Sequence, residues 1–555
     1  MKIYSIDDWK KYFPHDEPRK EQVEAIDFIL DAFYNNSKST VILELGTGVG
    51  KSAIGITIAR HMIEHPIPNK LDDETDYKQG AYVLTTQKIL QEQYMHDFGE
   101  PNGNLINIKS SSNYTCNFFK HQSCADSRQM LKYEPKGTKF FKCCTGNCVY
   151  TQAKAKFLKS NESITNYKYF LAESVYAQKI KPRELLVLDE VHNLTNELST
   201  FIDIVFSERF ANLFGIHMPE IATAFQAISW IKKEYIPSVN SFLGQLGVVI
   251  VQLKENFDKM QDKAVEVELA KQTKKYDRLD QHICKINRFI EYYSKDNWIL
   301  NIVPAQDKSL RKLEFKPIDV SPYAKNLLFQ FGKNLILMSA TIINKETFCE
   351  PLGINADEVA YISIPSPFPF DNRPVFYAPV GKMSRDNIDN TLPKMAETIK
   401  MLLEHHKNDK GLIHCRSYKI SNYIKKHVRN KRLLLHDTGD RDKILKEHLT
   451  SEKPTVLLSP SMTEGIDLYD DLARFQIICK IPFPYLGALE TKKRMHKWKN
   501  WYAYETIKTI IQSIGRSIRN SEDYCTTYIL DENFDYFHIK NRHLFPEWFS
   551  EVLHK

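Results

Sequence analysis

The feature that most constrains this chain is the run Thr40-Val41-Ile42-Leu43-Glu44-Leu45-Gly46-Thr47-Gly48-Val49-Gly50-Lys51-Ser52. Thr40–Leu43 is apolar and largely β-branched, as a strand buried on both faces of a parallel sheet is. Ala53–Arg60 reads as helix. A strand, a glycine-rich loop and a helix N-terminus in that order cradle phosphate. Glycines let backbone N–H groups approach anionic oxygens, and the helix end adds its dipole. Gly46, Thr47, Gly48 and Gly50 line this loop. Lys51 stands where it reaches β- and γ-phosphates, and the Ser52 hydroxyl where it binds Mg²⁺. The run departs from the strict pattern at Leu45, where that pattern has glycine.

Such a loop belongs to an α/β fold, and the rest of the chain agrees. Short apolar runs at Tyr82–Thr85, Leu185–Leu188 and Leu335–Met338 join Thr40–Leu43 as one group of strands. A second group comprises Leu412–Cys415, Thr455–Leu458, Gln476–Cys479 and Tyr528–Leu530. Helical patterns between them imply right-handed βαβ units and two parallel-sheet domains. The middle differs: residues 248–303 contain no Gly and no Pro. Val265, Leu269, Tyr276, Leu279, Ile283, Ile286 and Ile290 recur there at helical spacing, read as core packing. Roughly 205–315 is therefore expected to be a helical insertion.

Composition closes off other classes. Of 555 residues, 42% are hydrophobic and 26% charged, too apolar for a mostly disordered chain. The longest apolar runs, such as Val248–Val251, fall short of the roughly 18 residues of a membrane span. Met1–Pro14 carries acids and a tryptophan early, unlike a secretory or transit segment. An intracellular protein, neither secreted nor membrane-bound, is the expectation. The net charge of +7 permits a polyanionic partner without requiring one.

Three further constellations bear chemistry. Leu185-Leu186-Val187-Leu188-Asp189-Glu190-Val191-His192 puts two acids at a strand end. Asp189 is placed to hold Mg²⁺ and Glu190 to orient and deprotonate an attacking water, which implies hydrolysis. His192 alone reads as a loop histidine. Gln512-Ser513-Ile514-Gly515-Arg516-Ser517-Ile518-Arg519 sets Arg516 and Arg519 three apart, on one face if helical. Two guanidiniums there would clamp a γ-phosphate. Finally, five of the ten cysteines, Cys116, Cys124, Cys143, Cys144 and Cys148, share one window. A metal centre is the leading explanation. Four thiolates suit a [4Fe–4S] cluster and equally Zn²⁺, and spacing alone leaves the two open.

In this order the motifs resemble the XPD/DinG family of superfamily 2 helicases, across nearly the whole chain. Arg19 and Gln22 look like the adenine-side motif before the phosphate loop. Thr85–Gln93 is similar to the strand-contacting motif after it. Asp189-Glu190-Val191-His192 resembles an Asp-Glu-Ala-His box with Val191 for Ala. Ser339-Ala340-Thr341, Ser366-Pro367-Phe368-Pro369, Ser417-Tyr418 and Glu464-Gly465-Ile466-Asp467 are similar to later motifs, with Gly465 and Asp467 on the nucleotide. The arginine motif, with Gln512, completes the second motor domain.

The resemblance implies two RecA-like motor domains with Mg-ATP in the cleft between them. Single-stranded DNA would run across their tops, translocated 5′ to 3′, at a forked duplex. It also implies two insertions in the first motor domain, an iron–sulfur module and a helical arch. The implied division is 1–104, 151–204 and 316–345 for the first motor domain, 105–150 for the cysteine-rich insertion, 205–315 for the arch, and 346–555 for the second motor domain. Asn113-Tyr114-Thr115-Cys116 resembles the first cluster ligand and Cys148-Val149-Tyr150 the last. That leaves Cys124 second and Cys144 third, with Cys143 as the alternative.

Between Leu105 and Ser160 there are ten Lys/Arg and two Asp/Glu, a formal +8, interleaved with Tyr114, Phe118, Phe119, Phe140, Phe141, Tyr150 and Phe157. Cations attract phosphates and rings stack unpaired bases. A module this small also needs rings for its own core, and most are assigned to packing. The expected activity is that of an ATP-dependent DNA helicase. The rivals are an ATP-driven translocase or remodeller that scarcely unwinds duplex, and a non-catalytic, zinc-stabilised nucleic-acid-binding protein.

Overall fold

The computed structural model describes residues 6–68, 75–119, 121–128, 131, 134–260, 262–305, 310–436, 439–460, 468, 470–515, 518 and 522–555. By contacts the chain divides into two compact units. The first comprises Met1–Pro14, Gly55–Leu337 and Pro351–Ile354. The second comprises His15–Ile54, Met338–Glu350 and Asn355–Lys555.

In the first unit, Lys78–Thr85 pairs in parallel with Arg183–Asp189 on one side and Glu162–Asn166 on the other. Glu162–Asn166 pairs in turn with the short Ile106–Asn107. Arg183–Asp189 is buried at every position, as a central strand covered on both faces must be. Arg183 is fully buried there. Its guanidinium bonds Ala81 O (2.8 Å) and Ser163 Oγ (3.0 Å) and lies 3.8 Å from the Tyr82 ring centroid.

The middle of the chain is helical, with one addition. Ile236–Met260 and Lys263–Tyr292 pack as neighbours. Leu269, Leu279, Ile283, Ile286 and Phe289 form the buried face of the second helix, so Phe289 rather than Ile290 ends the stripe. The window 205–315 is not wholly helical. Ile204–Ser207, Lys312–Pro317 and Trp298–Val303 form a three-stranded antiparallel sheet in that order. Lys312-Leu313-Glu314-Phe315-Lys316-Pro317 alternates exposed or partly exposed with buried positions, the period-2 signature of a half-buried strand. The sequence reading missed it because the strongly helical segment between dominates the window.

One expectation needs correction. By length and composition, the helical stretch Ala224–Phe257 is long and apolar enough to cross a membrane, with a mean hydropathy of 1.4 in its most apolar part. Ile236 to Leu253 carries no charged residue. Asn, Ser, Gln and Gly interrupt the apolar runs, which hid its length. Val239, Leu246 and Ile250 on it are buried, whereas Val248, Val249 and Val251 are exposed.

In the second unit, Thr40–Leu45 pairs in parallel with Ala360–Ile364, from Val41 opposite Ala360 to Leu45 opposite Ile364. A parallel sheet follows in the order Leu433–Leu435, Val456–Ser459, Gly411–His414, Phe475–Ile478, Thr526–Asp531, Val375–Gly381, Leu553–His554. The fold is thus α/β with two parallel sheets, as expected. Helix Ile388–His405 packs Leu392, Met395, Ile399 and Leu403 into this sheet's core, and Ile420 and Ile424 of Tyr418–Val428 join them.

His448 is fully buried in this unit, between Thr455 Oγ1 at Nδ1 (2.8 Å) and Leu472 O at Nε2 (2.8 Å). The neutral imidazole suits both partners, donating from Nε2 and accepting at Nδ1. Burial holds its pKa down at about 4, against 6.5 ordinarily. Between those values the unfolded chain binds the proton and the folded one does not. Stability is therefore full above pH 6.5 and falls as pH drops toward 4. Between pH 7 and pH 5 this one group removes about 2 kcal/mol. His448→Gln is expected to be less stable at pH 7 but to lose less on acidification. The urea midpoints of both proteins at pH 7 and 5 measure this, and equal losses would contradict it.

Candidate functional site

The phosphate loop in the second unit is held from several sides. Helix Lys51–Glu64 begins at Lys51, and Ser52 is its second residue. Gly48 and Gly50 have φ of +91° and +85°, a region open to glycine at no steric cost. Gly46 N–H donates to Ile364 O (2.9 Å), and Ser366 Oγ donates to Thr47 O (2.7 Å). A Cβ on Gly46 would stand 2.2 Å from Ser366 N, and one on Gly48 2.1 Å from the Phe368 ring. The Ser366–Pro369 segment therefore lies directly on the loop. Gln22 reaches the same loop, its Nε2 2.4 Å from where a Gly50 Cβ would be. Gln22 Oε1 accepts from Arg19 N–H (2.9 Å), and the Arg19 guanidinium donates to Gly48 O. Arg19, Gln22, Gly46, Thr47, Gly48 and Gly50 are thus brought together.

The same unit adds a second contact. Helix Trp501–Ile514 carries Gln512, whose Nε2 donates to Thr341 Oγ1 (3.2 Å). Thr341 N–H donates to Ser339 Oγ (3.2 Å). Gly515 follows the helix with its Cβ position 3.7 Å from Thr47 Oγ1. Gln512, the Ser339–Thr341 segment and the loop are therefore neighbours. Arg516, Arg519, Gly465 and Asp467 lie outside the described residues.

In the first unit, Asp189 closes the strand Arg183–Asp189 and is 4% exposed. Its Oδ2 accepts from Tyr94 OH (3.0 Å), its Oδ1 from Glu190 N–H (2.9 Å) and its carbonyl from Tyr167 OH (2.9 Å). Glu190 is left-handed, φ +55° and ψ +43°, so the chain turns sharply there. His192 Nδ1 lies 3.2 Å from Glu190 Oε2, so the loop histidine is partnered within its own turn. Burial and the nearby Asp189 and Glu190 carboxylates keep the Tyr167 hydroxyl protonated. The strand-contacting motif lies on Lys78–Thr85 and helix Lys88–Phe98, where Gln91 donates to Ile108 O (2.8 Å) and Lys88 to Asn113 Oδ1 (2.9 Å).

The cysteine window forms a compact module in the first unit. Cys116 N–H bonds Gln122 O and Cys124 N–H bonds Tyr114 O, closing a small loop at a Thr115–Ser123 bridge. Cys144 lies in the turn Cys143–Asn147, and Cys148 caps helix Val149–Lys159. Cys116, Cys124, Cys144 and Cys148 are buried and Cys143 is half-buried. Cys124 Sγ and Cys148 Sγ are 3.6 Å apart. Burial pushes the Cys124 thiol up to about 12 and Cys144 to about 11. Burial would raise Cys148 too, but hydrogen bonds from Thr151 and neighbours at the helix N-terminus outweigh it and lower it. Four buried thiols with no carboxylate among them are a sulfur donor set that fits a soft metal centre. Among the described residues, however, no three His, Cys, Asp or Glu side chains already stand in a metal-holding arrangement. Phe119, Phe140 and Cys144 pack with Ala270, Tyr150 and Phe157 are buried, and Phe118 remains exposed.

The sequence matches the family described as Helicase C-terminal domain over residues 399–552, and that described as Type III restriction enzyme, res subunit, over residues 15–232. It is 29% identical over 241 residues to the ATP-dependent DNA helicase DinG of Photobacterium profundum, covering 40% of this chain and 34% of that protein. It is 31% identical over 140 residues to the ATP-dependent DNA helicase CHL1 of Candida albicans, 21% of this chain and 16% of that one. A solved XPD helicase structure superposes with a TM-score of 0.59 over 96% of this chain and 99% of that chain, at 19% identity. These matches support the resemblance of the chain to the XPD/DinG type of superfamily 2 helicases, and the XPD structure shows the shared fold. The matched stretches span about a third or less of those two relatives' length.

The XPD/DinG motifs quoted above omit three groups that the structure adds. Tyr94 holds the strand-end aspartate, and Tyr361 and Ser363 both donate to Glu44, at 2.7 and 3.1 Å. The signal available for Tyr94 was a lone tyrosine on the helix after the strand-contacting motif, which reads equally as core. Glu44 was visible as an acid inside an apolar strand, a position that needs a partner. Gly48→Ala combines a positive φ with a clash against Phe368, and is expected to cost about 2 kcal/mol. A lowered Tm without ligand would register it, whereas an unchanged Tm would mean that the loop repacks freely.

Proposed function

We propose that this chain hydrolyses ATP with Mg²⁺ and uses the cycle to move along single-stranded DNA. The observation that carries the reading is the Asp189–Glu190 corner in a chain that also has the Lys51 loop. Asp189 is fixed by a tyrosine and a backbone N–H, and Glu190 is turned out of the strand direction. A phosphate loop alone binds, and a second, strand-end acid is what hydrolysis adds. Lys51 would neutralise the β- and γ-phosphates, while Ser52 and Asp189 hold Mg²⁺. Glu190 would take the proton of the attacking water, oriented by His192. Gln512, Arg516 and Arg519 would meet the γ-phosphate in the transition state, and Arg19, Gln22, Gly465 and Asp467 the rest of the nucleotide.

The relatives' names, ATP-dependent DNA helicases, support DNA as the track. The +8 window from Leu105 to Ser160 supports a polyanionic partner beside the cysteine module. Translocation from 5′ to 3′, a forked duplex as substrate and an intracellular setting follow from the family resemblance. The motor division 1–104, 151–204 and 316–345 against 346–555 belongs to the same reading.

Cys116, Cys124, Cys144 and Cys148 are the residues that would hold a [4Fe–4S] cluster. Cys144 is preferred to Cys143 because it is the more buried of the two. The cluster would supply covalent cross-links between the chain segments that carry these thiols. The thiols would have to lose their protons to bind it, which burial opposes at Cys124 and Cys144.

Two outcomes test the reading. Glu190→Gln is expected to bind ATP as the wild type does and to lose about 10²–10⁴-fold in DNA-stimulated turnover. Turnover within a few-fold of wild type would remove Glu190 from the chemistry. Cys116→Ser or Cys148→Ser should abolish metal binding in protein purified without oxygen, because serine oxygen is a poor ligand for soft iron. Basal ATPase should survive and strand separation fail. Iron and sulfide analysis with the visible spectrum decides the metal, and stoichiometric zinc without iron would overturn the iron–sulfur assignment.

A further inference from the structure

We propose that Glu44 is a positioning residue, whose carboxylate locks the stem of the phosphate loop to the segment that holds Gln512. The inference rests on reading the loop as part of an ATP hydrolase. Glu44 sits two residues before Gly46, on the strand and not in the loop. Its Oε1 accepts from the backbone N–H groups of Ile342 (3.0 Å) and Ile343 (2.7 Å). Its Oε2 accepts from Tyr361 OH (2.7 Å) and Ser363 Oγ (3.1 Å). All four neighbours donate, so both carboxylate oxygens of Glu44 are held from two sides.

Ile343 shows how firmly that segment is held. Its φ is +65°, a left-handed conformation that a β-branched residue rarely adopts. Such a residue persists where its surroundings over-determine it. Here its N–H is one of the four donors, and its side chain packs on the core of Ile507, Ile511 and Phe534.

Two residues earlier, Thr341 Oγ1 receives Gln512 Nε2 (3.2 Å), and Gly515 lies beside Thr47. These contacts, with the proximity of Gly515 to Thr47, trace a path within one unit. It runs from Glu44 to Ile342 and Ile343, back to Thr341, across to Gln512, along the helix to Gly515, and to Thr47 in the loop. Glu44 touches neither the loop backbone nor Gln512, but it fixes the one segment that both depend on. Removing it should leave the cradle able to bind and Gln512 misplaced for turnover.

The test uses the full chain. Glu44→Ala is expected to lower DNA-stimulated kcat about tenfold while the Kd for a fluorescent ATP analogue stays within about threefold. Glu44→Gln should keep most of kcat, because its amide oxygen can face the two peptide N–H groups while the hydroxyls of Tyr361 and Ser363 turn to accept. Hydrogen exchange at Ile342 and Ile343 should speed up about tenfold or more in Glu44→Ala, a readout that needs no activity. A parallel loss of kcat and nucleotide affinity would overturn the proposal in favour of general damage to the loop. So would wild-type kcat in Glu44→Ala, or unchanged exchange at the two amides. A wild-type protein without turnover would sink the hydrolase reading, and the exchange measurement would still decide whether Glu44 holds the segment.

Discussion

Close approach of backbone to backbone at the phosphate loop is the constraint on which the second unit depends. Gly46 leaves room for Ser366, and Gly48 for the Phe368 ring. Any side chain at either position would push the Ser366–Pro369 segment off the loop. That segment continues the strand Ala360–Ile364, paired in register with Thr40–Leu45. The glycines therefore serve two ends at once. They let N–H groups face phosphate, and they let the neighbouring strand's exit cover the loop.

Polar groups buried at the strand ends carry the arrangement further into the unit. Gln476 is fully buried, and its Nε2 donates to Ile514 O (3.0 Å) and Thr527 Oγ1 (3.0 Å). It therefore ties two adjacent strands to the C-terminal end of the helix that bears Gln512. Unpaired, these groups would cost far more than they contribute when paired, so the geometry at Ile514 is strongly specified. Glu44 works by the same logic at the other end of that path.

Much of this was legible in the sequence because strand, glycine loop and helix follow one another without interruption. Each of the eight apolar runs lies on or overlaps a strand, usually with the strand reaching a residue or two beyond it. What stayed hidden has a physical reason in each case. Val375–Gly381 is partly exposed along most of its length and lacks the apolar run of a central strand. The small antiparallel sheet flanking the long helices alternates over only a few residues, so its period is swamped. The Glu44 partners lie some three hundred residues away, at Ile342, Ile343, Tyr361 and Ser363, and only folding brings them together. The cysteines were legible as a cluster, but spacing did not distinguish Cys143 from Cys144. The two differ in burial: Cys144 packs into the small Phe119–Phe140 cluster and Cys143 is half-buried.

The cysteine module and the long helices were read as separate insertions, but the first unit joins them. Lys274 pairs with Asp126 at 2.8 Å, and Ala270 packs against the Phe140–Cys144 core. Both residues lie on helix Lys263–Tyr292, one turn apart, so one face of that helix meets the module. The ion pair is half-exposed on both sides and contributes little by itself. The apolar contact matters more, because Cys144 sits in the same small cluster that Ala270 covers. Among the described residues, Phe119, Leu131, Phe140, Cys144 and Ala270 form one small apolar cluster, so the core of the module is also the surface on which the long helix rests. The ordering of the module and the seating of that helix are one structural problem rather than two.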